Sequence, residues 1–474
     1  MSSLNIEFSR NKKKDTEKGD LMARRRKKLI EVKIDRTEFP NKGIGTYEDK
    51  KVVIKGALEG QTVKALTGKK RQDRIEARLM EVVEKAPYEI EPPCPHFGVC
   101  GGCAYQNLPY EKQLELKERQ VKEIIDRADI GDYEYLDIVP SPDISEYRNK
   151  MEYSFGDTGK DGPLALGLHQ KGKFFETVIT ENCNIVDSDF SKLLMETLEY
   201  FREKGTPFYN KMKHEGVLRH FVVRKAINGK EILVNLVVSS QEELELSDFT
   251  ERLRNLELDA ELKGILLTVN DSLADVVQSD RTEILYGEDF ITEELLGLNF
   301  KISAFSFFQT NTKGAEVLYS KVREFMGDTD RKTVFDLYCG TGTIAQITSP
   351  VAEKVYGIEI VEEAVEAAKE NAKLNGLSNC EFIAGDVMIK VKELKDKPDI
   401  IILDPPRDGI HPKAIHDIID FSPEKFVYVS CKPSSLERDL PVFKARGYDI
   451  KKVQCVDMFP MTPHVETIAL IQKM

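Results

Sequence analysis

Cys431 ends an apolar run, KFVYVSC, and is followed by Lys432, Pro433 and the segment SSLERDL. The run reads as a buried strand, and Ser434 with Glu437 has the Ser-x-x-Glu spacing of a capping box that opens a helix. A thiol beside a lysine and at a helix N-terminus is expected to ionise readily, and the thiolate is the nucleophile. A lone cysteine at a strand end is more often only a small buried apolar group, so its neighbours decide. Glu466, in MTPHVETIALI, opens the last apolar strand. It is the carboxylate expected to act as a base. A nucleophile and a base are the two protein groups that covalent catalysis asks for.

A third group of residues describes a ligand. VFDLYCGTGTIA reads as a strand, a Gly-x-Gly turn at Gly340 and Gly342, and a helix. Glycines there let the backbone approach a ligand, and the helix start offers free N–H groups. The third glycine of the dinucleotide fingerprint is absent, so the turn alone is a weak signal. Glu359 ends the next apolar run, KVYGIEI, ~20 positions on, where an acid accepts hydrogen bonds from ribose hydroxyls. Asp386 ends the third run, CEFIAGD, where an adenine edge is expected. This order of acids and glycines fits S-adenosylmethionine better than a nicotinamide dinucleotide. A methyl donor, a thiolate and a base together suit one reaction. Uracil C5 is too weak a nucleophile to take a sulfonium methyl directly. A thiolate adding at C6 makes C5 enolate-like, and a base must then remove the C5 proton before the thiolate can leave.

These residues need a scaffold. TVFDLYC, KVYGIEI, CEFIAGD, DIIILDPP and KFVYVSC are short apolar strands separated by helical or loop segments, which predicts a parallel, doubly wound α/β sheet over 305–474. Ligands in such sheets bind at the carboxyl ends of the strands, where all the residues named above fall. Residues 1–22 are polar and basic and are expected to be a disordered tail. LIEVKID, GIGTYEDKKVVIKG, TVKALTG and RIEARLMEVVEK, within 23–84, suggest a small antiparallel β-barrel of the kind that binds nucleic acid on a strand face. A mixed α/β central region is expected over 85–304, with a hairpin turning at Asn228 and Gly229. Its basic strand-like segments, with Arg148, Lys150, Arg219 and Arg224, are candidates for phosphate contact, with ordinary solvent-facing strand residues an equal reading.

Composition sets limits. With 474 residues the chain should hold about three domains. Its apolar runs fall short of the ~20 residues that span a bilayer, and the N-terminus lacks the apolar stretch of a secretory signal. A cytoplasmic location is expected. The net charge of −12 counts against a nucleic-acid partner when taken alone, but phosphate contacts depend on local basic surface. Of eight cysteines, Cys94, Cys100 and Cys103 are clustered. That pattern suggests metal or redox chemistry, and thiolate ligation suits zinc as well as iron–sulfur.

SFFQTN, DLYCGTGTIA, GIE, DPPRDG, SCKP and HVET occur here in that order. The set resembles the bacterial RNA uracil-C5 methyltransferases, in the branch that modifies 23S ribosomal RNA, over nearly all the chain after residue 22. The resemblance implies a C-terminal Rossmann-like methyltransferase domain and an RNA-binding TRAM barrel. It makes Cys431 the nucleophile and Glu466 the base, with Gln309, Tyr338, Glu359 and Asp404 as cofactor-binding positions. Asp386 is a variable member of that set. It also implies that Cys94, Cys100, Cys103 and Cys183 ligate a [4Fe–4S] cluster. The substrate base must leave its stack to reach Cys431. No membrane and no obligate protein partner are expected, and the chain should be a monomer.

Other readings fit less well. An amino-group methyltransferase uses Asp-Pro-Pro followed by an aromatic residue, where Arg407 stands here. A cytosine-C5 methyltransferase carries its cysteine in the fourth-strand motif. A radical iron–sulfur enzyme uses C-x3-C-x2-C, not the C-x5-C-x2-C found here. A non-enzymatic RNA-binding protein leaves Glu359, Cys431 and Glu466 without a shared purpose. Within the family, transfer RNA is the alternative substrate.

Overall fold

The computed structural model describes residues 27–474 except 72, 161, 174, 275, 276 and 278. The expected disordered tail therefore lies outside the described residues. The chain divides after Pro87 into two compact units.

The first unit is a closed five-stranded barrel of β1 (Leu29–Glu38), β2 (Lys42–Tyr47), β3 (Lys50–Lys55), β4 (Thr62–Lys70) and β5 (Arg74–Glu84), in the order β1-β2-β3-β5-β4. Alternation along β1 buries Ile30, Val32 and Ile34 against Val52, Ile54 and Val63. GIGTYEDKKVVIKG is two strands, joined where Glu48 and Asp49 adopt positive φ, the conformation that a two-residue hairpin turn requires. The barrel is not purely antiparallel, because β3 and β5 run parallel.

The second unit opens with α1 (Tyr110–Asp126) and β6 (Glu134–Val139). A seven-stranded sheet follows, built from β7 (Lys150–Asp157), β8 (Leu164–His169), β9 (Thr177–Val178), β10 (Leu218–Ala226), β11 (Glu231–Val238), β12 (Glu261–Val269) and β13 (Arg281–Gly287), in the order β13-β12-β11-β10-β7-β8-β9. The expected hairpin is β10–β11. Its core is covered by α2 (Ser188–Lys204) and α3 (Ser247–Arg254). Asp187 caps α2 by accepting from the Asp189 amide, and Gly205 ends it at φ +68°. Between those ends Phe190, Leu193, Leu194, Leu198 and Phe201 recur at helical spacing on the buried face.

A hairpin of β14 (Phe290–Leu295) and β15 (Leu298–Ser303) leads to α4 (Thr312–Met326). Then come β16 (Thr333–Leu337), α5 (Thr343–Thr348), β17 (Lys354–Glu359), α6 (Glu362–Leu374), β18 (Cys380–Ala384), α7 (Val387–Glu393), β19 (Ile400–Leu403), α8 (Ala414–Asp420), β20 (Lys425–Ser430), α9 (Pro433–Ala445), β21 (Tyr448–Val456) and β22 (Glu466–Lys473). The resulting sheet has the order β18-β17-β16-β19-β20-β22-β21-β6. Its first five strands are parallel, and β22 runs antiparallel to both neighbours. The α/β expectation holds, and the barrel and this domain match the implied architecture. The edge strand β6 comes from the stretch before residue 304 and pairs parallel with β21. No described helix is long and apolar enough to cross a membrane.

The joint between α1 and the last strands is an ion pair. Lys117 Nζ lies 2.7 Å from Asp457 Oδ1, with both side chains fully buried, and donates at 3.0 Å to the Phe459 carbonyl. Removing one partner strands a buried charge, which costs about 3–5 kcal/mol. Lys117→Met should therefore lower the urea midpoint markedly, and Lys117→Met/Asp457→Leu should recover much of the loss. A single variant as stable as the parent would show that the pair does not hold this joint.

Candidate active site

Parallel register brings the strand ends to one edge. Leu337 is level with Ile358 and Leu403, and Leu403 with Tyr428. Tyr338, Glu359, Asp404 and Cys431 lie at or just past these carboxyl ends, and Asp386 lies two residues beyond β18. Glu466 arrives from the opposite direction as the first residue of β22, where Ser430 pairs with Thr467. Gln309 comes from the loop before α4, where its side chain hydrogen-bonds the Tyr319 hydroxyl.

The cluster is acidic and poorly solvated. Glu466 is buried, and Asp404 and Cys431 are half-buried. Burial, then the neighbouring Asp404 charge, pushes Glu466 up to about 8, against the pull of Arg407. Burial pushes Asp404 up to about 7. The Cys431 thiol is pushed up to about 11 by burial first, then by Glu466 and Asp404. The expectation of a thiol primed by its surroundings is thus corrected. Desolvation and two carboxylates outweigh the helix N-terminus and Arg407. Lys432 does not help, since its Nζ is aimed at Asp408, 3.4 Å away.

The expected capping box is also absent. The N-cap of α9 is Lys432 and Pro433 takes the first helical position, a place that suits proline because its missing N–H would be unpaired anyway. Ser434 is therefore already inside the helix. Glu437 instead meets Arg127, Nε to Oε1 at 3.0 Å. Ser430 and Ser435 tie the junction, their hydroxyls 2.9 Å apart.

The glycine turn is shaped by contact as much as by conformation. Gly342, at φ +72°, is the N-cap of α5, and a Cβ there would stand 2.4 Å from Phe382 Cε1. Glu359 Oε2 accepts from the Gly340 amide at 3.0 Å, and Oε1 from Ile360 and Val361 at 2.8 and 3.1 Å. A carboxylate has about four lone-pair sites, so three are used in holding the turn and the next strand exit. Asp386 is exposed and caps α7 through the Met388 amide. Asp336, buried beneath the turn, accepts from the Ala345 amide with Oδ2, while Oδ1 has no partner among the described residues. That open buried acceptor beside a glycine turn fits a ligand carrying hydrogen-bond donors or positive charge.

Sequence reasoning did not single out three members of this cluster. Tyr319 is buried on α4 and is acted on by Asp404, Glu466 and Asp336. On sequence it is one more apolar position of an amphipathic helix. Arg407 acts electrostatically on both Cys431 and Glu466, and only its place in DPPRDG hinted at a role. His464, two residues before Glu466, feels the charge of Arg407 and is lowered chiefly by burial.

Two of the basic strand residues are not phosphate ligands. Arg219 is buried and donates to the carbonyls of Asn270, Ser272 and Ala274 at 2.7–2.9 Å. Arg224 is buried against the carbonyls of Ala304 and Ser306. Neither is solvent-facing, so both sequence readings fail for them. Arg148 is half-buried and donates to the Lys150 carbonyl, and Lys150 pairs with Glu152 at 2.5 Å.

The four clustered thiols lie elsewhere in this unit. Cys94, Cys100, Cys103 and Cys183 line one cavity walled by Leu168 and Ile185. Burial pushes Cys103 up to about 12, with the other three thiols adding to it, and Cys183 to about 11. Among the described residues, no group of three or more His, Cys, Asp or Glu side chains has the arrangement of a single-metal site.

Gly342→Ala should combine a left-handed φ with a clash against Phe382, together costing about 2–4 kcal/mol. Calorimetry with S-adenosylmethionine should show binding reduced by at least about tenfold, that is ~1.4 kcal/mol. Unchanged affinity would show that the turn is not the cofactor cradle.

This geometry can be set beside known proteins. The family profile for tRNA (uracil-5-)-methyltransferases matches residues 109–474. An RNA methyltransferase of Clostridium acetobutylicum, itself described as uncharacterized, is 56% identical over 95% of this chain and 98% of its own. One from Halalkalibacterium halodurans, likewise described, is 35% identical over 94% of this chain and 97% of its own. The solved tRNA (uracil-54, C5)-methyltransferase of Pyrococcus abyssi, in complex with S-adenosyl-L-homocysteine, is 27% identical, with a TM-score of 0.73 over 93% of this chain and 100% of that one. The chain belongs to the tRNA (uracil-5-)-methyltransferase family and is an S-adenosylmethionine-dependent RNA uracil-5-methyltransferase.

Proposed function

We propose that the protein methylates C5 of a uridine in 23S ribosomal RNA through a covalent adduct between Cys431 and C6. The observation that carries this reading is the meeting of Cys431 and Glu466 across β20 and β22, with Asp404 and Arg407 acting on both. Gln309, Tyr338, Glu359, Asp386 and Asp404 are the residues proposed to hold the cofactor. Bound there, S-adenosylmethionine supplies an electrophilic methyl group and a positive charge. Cys431 loses its proton and adds to C6, which moves electron density to C5. After methylation Glu466 takes the C5 proton, the C6–S bond breaks and the thiolate leaves. A carboxyl raised to about 8 is a stronger base than an ordinary glutamate and is matched to neutral conditions.

Domains are proposed as a barrel at 23–84 that holds RNA, a central region at 85–304 and a catalytic domain at 305–474, acting in the cytoplasm as a monomer. The ribosomal target rests on the barrel together with the cysteine set. A transfer RNA target is the second reading, favoured by the likeness to the Pyrococcus abyssi enzyme. Cys94, Cys100, Cys103 and Cys183 are proposed to hold a [4Fe–4S] cluster. Four buried or half-buried thiols around one apolar-walled cavity suit such ligation.

5-Fluorouridine transcripts test the chemistry, because fluorine cannot leave as a cation and the adduct is trapped. Gel-stable adducts should form with 23S fragments, not with transfer RNA, and should form faster as pH rises from about 6 to about 9, since Cys431 attacks as the thiolate while Glu466 acts only after the trapped stage. Cys431→Ala should abolish them. An adduct that survives this change, or none at all, refutes the mechanism; adducts with transfer RNA alone refute the target. For the cluster, anaerobic purification should give a brown protein with iron and sulfide. Stoichiometric zinc without iron would refute it.

A further inference from the structure

The loop from Asp404 to Ile410 carries Arg407, whose charge acts on both Cys431 and Glu466, yet it offers few backbone donors of its own. Pro405 and Pro406 have no N–H to donate. The Gly409 amide closes a tight turn on the Pro406 carbonyl at 2.7 Å, with Arg407 and Asp408 at its corner. Lys432 reaches Asp408 from exposed positions at 3.4 Å, a contact of small energetic weight.

The firm attachment comes from α9. Asp439 is buried in the seventh position of that helix. Its Oδ2 accepts from the Ile410 amide at 3.0 Å and from the Tyr428 hydroxyl at 2.7 Å. Its Oδ1 accepts from Arg438 Nε at 2.6 Å, and Arg438 Nη2 donates at 2.8 Å to the Ile410 carbonyl. Both backbone groups of Ile410 are thus held by adjacent side chains of one helix. Gly409, at φ +75°, packs so closely on the pair that a Cβ would stand 2.7 Å from both Asp439 Oδ2 and Arg438 Nη2. The helix bearing this clamp begins two residues after Cys431, and Tyr428 lies on β20 three residues before it. One helix therefore ties the nucleophile strand and the Arg407 loop into a single rigid piece.

We infer that Asp439 is a positioning residue for methyl transfer: by clamping Ile410 it holds the loop beyond Asp404 so that the Arg407 charge stays within reach of Cys431 and Glu466. This rests on the reading above only in taking Cys431 as the reacting thiol. The charged groups facing that thiol are Glu466, Asp404 and Arg407. Of these Arg407 alone favours the thiolate, and Asp404 stays anchored directly after β19, so releasing the loop at Ile410 should act through Arg407 and make the thiol harder to ionise.

The test follows Cys431 carbamidomethylation by iodoacetamide in the full chain against pH, quantified by peptide mass spectrometry, with no RNA present. Asp439→Asn keeps the acceptor for Ile410 but loses the charge that holds Arg438. It should slow the reaction about three- to tenfold near pH 8 and move the profile to higher pH. Arg407→Gln should do the same, and the double variant should be no slower than Arg407→Gln alone, because both changes remove one effect. Tyr428→Phe and Arg438→Met, each a milder release, should shift the profile in the same direction by less. Asp439→Asn with an unmoved profile, or effects that add fully to those of Arg407→Gln, would overturn the inference. Should Asp439→Asn not fold, unmoved profiles in both milder variants would overturn it equally. Absence of uridine methylation would refute the functional reading while leaving these profiles to decide the clamp.

Discussion

The pairing of Ser430 with Thr467 is the constraint on which the site depends. It sets the last residue of one strand beside the first of its antiparallel neighbour, so Cys431 and Glu466 meet although their strands run in opposite directions. Side chains alternate along a strand, and a slip of one residue would turn Glu466 to the other face. The register is secured by burial on both faces. Phe426, Val427, Tyr428 and Val429 on β20, and Ile468, Ala469 and Ile471 on β22, are all buried. A wrong register would move this whole set relative to the helices packed on either face. Placement of the base thus follows from core packing spread along two strands, not from any contact made by Glu466 itself.

Burial of that edge has an electrostatic consequence. Glu466, Asp404 and Asp336 are all raised, chiefly by burial, and the Asp404 charge acts on the other two. Like charges in a poorly solvated place cannot all ionise, so the resting site favours protons on its acids and on the Cys431 thiol. Among the charged groups that act on Cys431 and Glu466, Arg407 is the one that opposes this, which makes its station matter. A protonated thiol is a weak nucleophile.

Much of this was legible in the sequence because it is local. Short apolar runs ending in Cys431, Glu359 or Asp386 declare both the strand and the residue that leaves it, and their alternation with helices declares the sheet. What was not legible depends on partners far along the chain. Arg219 and Arg224 look exposed in a strand pattern, but carbonyls from 270–274 and 304–306 satisfy them in the interior. Ser434 and Glu437 have capping-box spacing, but Pro433 starts the helix a step earlier and leaves Glu437 free for Arg127. Cys431 sits where helix and lysine should activate it; burial first, and then acids arriving from other strands, reverse the sign. Tyr319 carries no motif at all, and only the sheet edge above it gives its hydroxyl a context.

The approach to Glu466 shows how the second unit serves its own active edge. From Asp457 to Val465 the chain has no regular structure, so its backbone groups need partners from elsewhere. Lys117 takes Asp457 and the Phe459 carbonyl, and the Tyr147 hydroxyl takes the Pro460 carbonyl at 2.9 Å. Gln113 brackets Met461, accepting from its amide at 2.8 Å and donating to its sulfur at 3.2 Å. The amides of Ala104 and Tyr105, directly after Cys103, both donate to the Met461 carbonyl at 2.9 and 3.0 Å. Met461 is held at φ +65°, a strained conformation for a side chain with a Cβ, which persists only where surrounding contacts over-determine it. The cysteine-bearing loop and α1 therefore form the outer wall of the segment that delivers the base. The stretch that carries Cys94, Cys100 and Cys103 thus contributes, in the folded chain, to holding the segment that leads into Glu466.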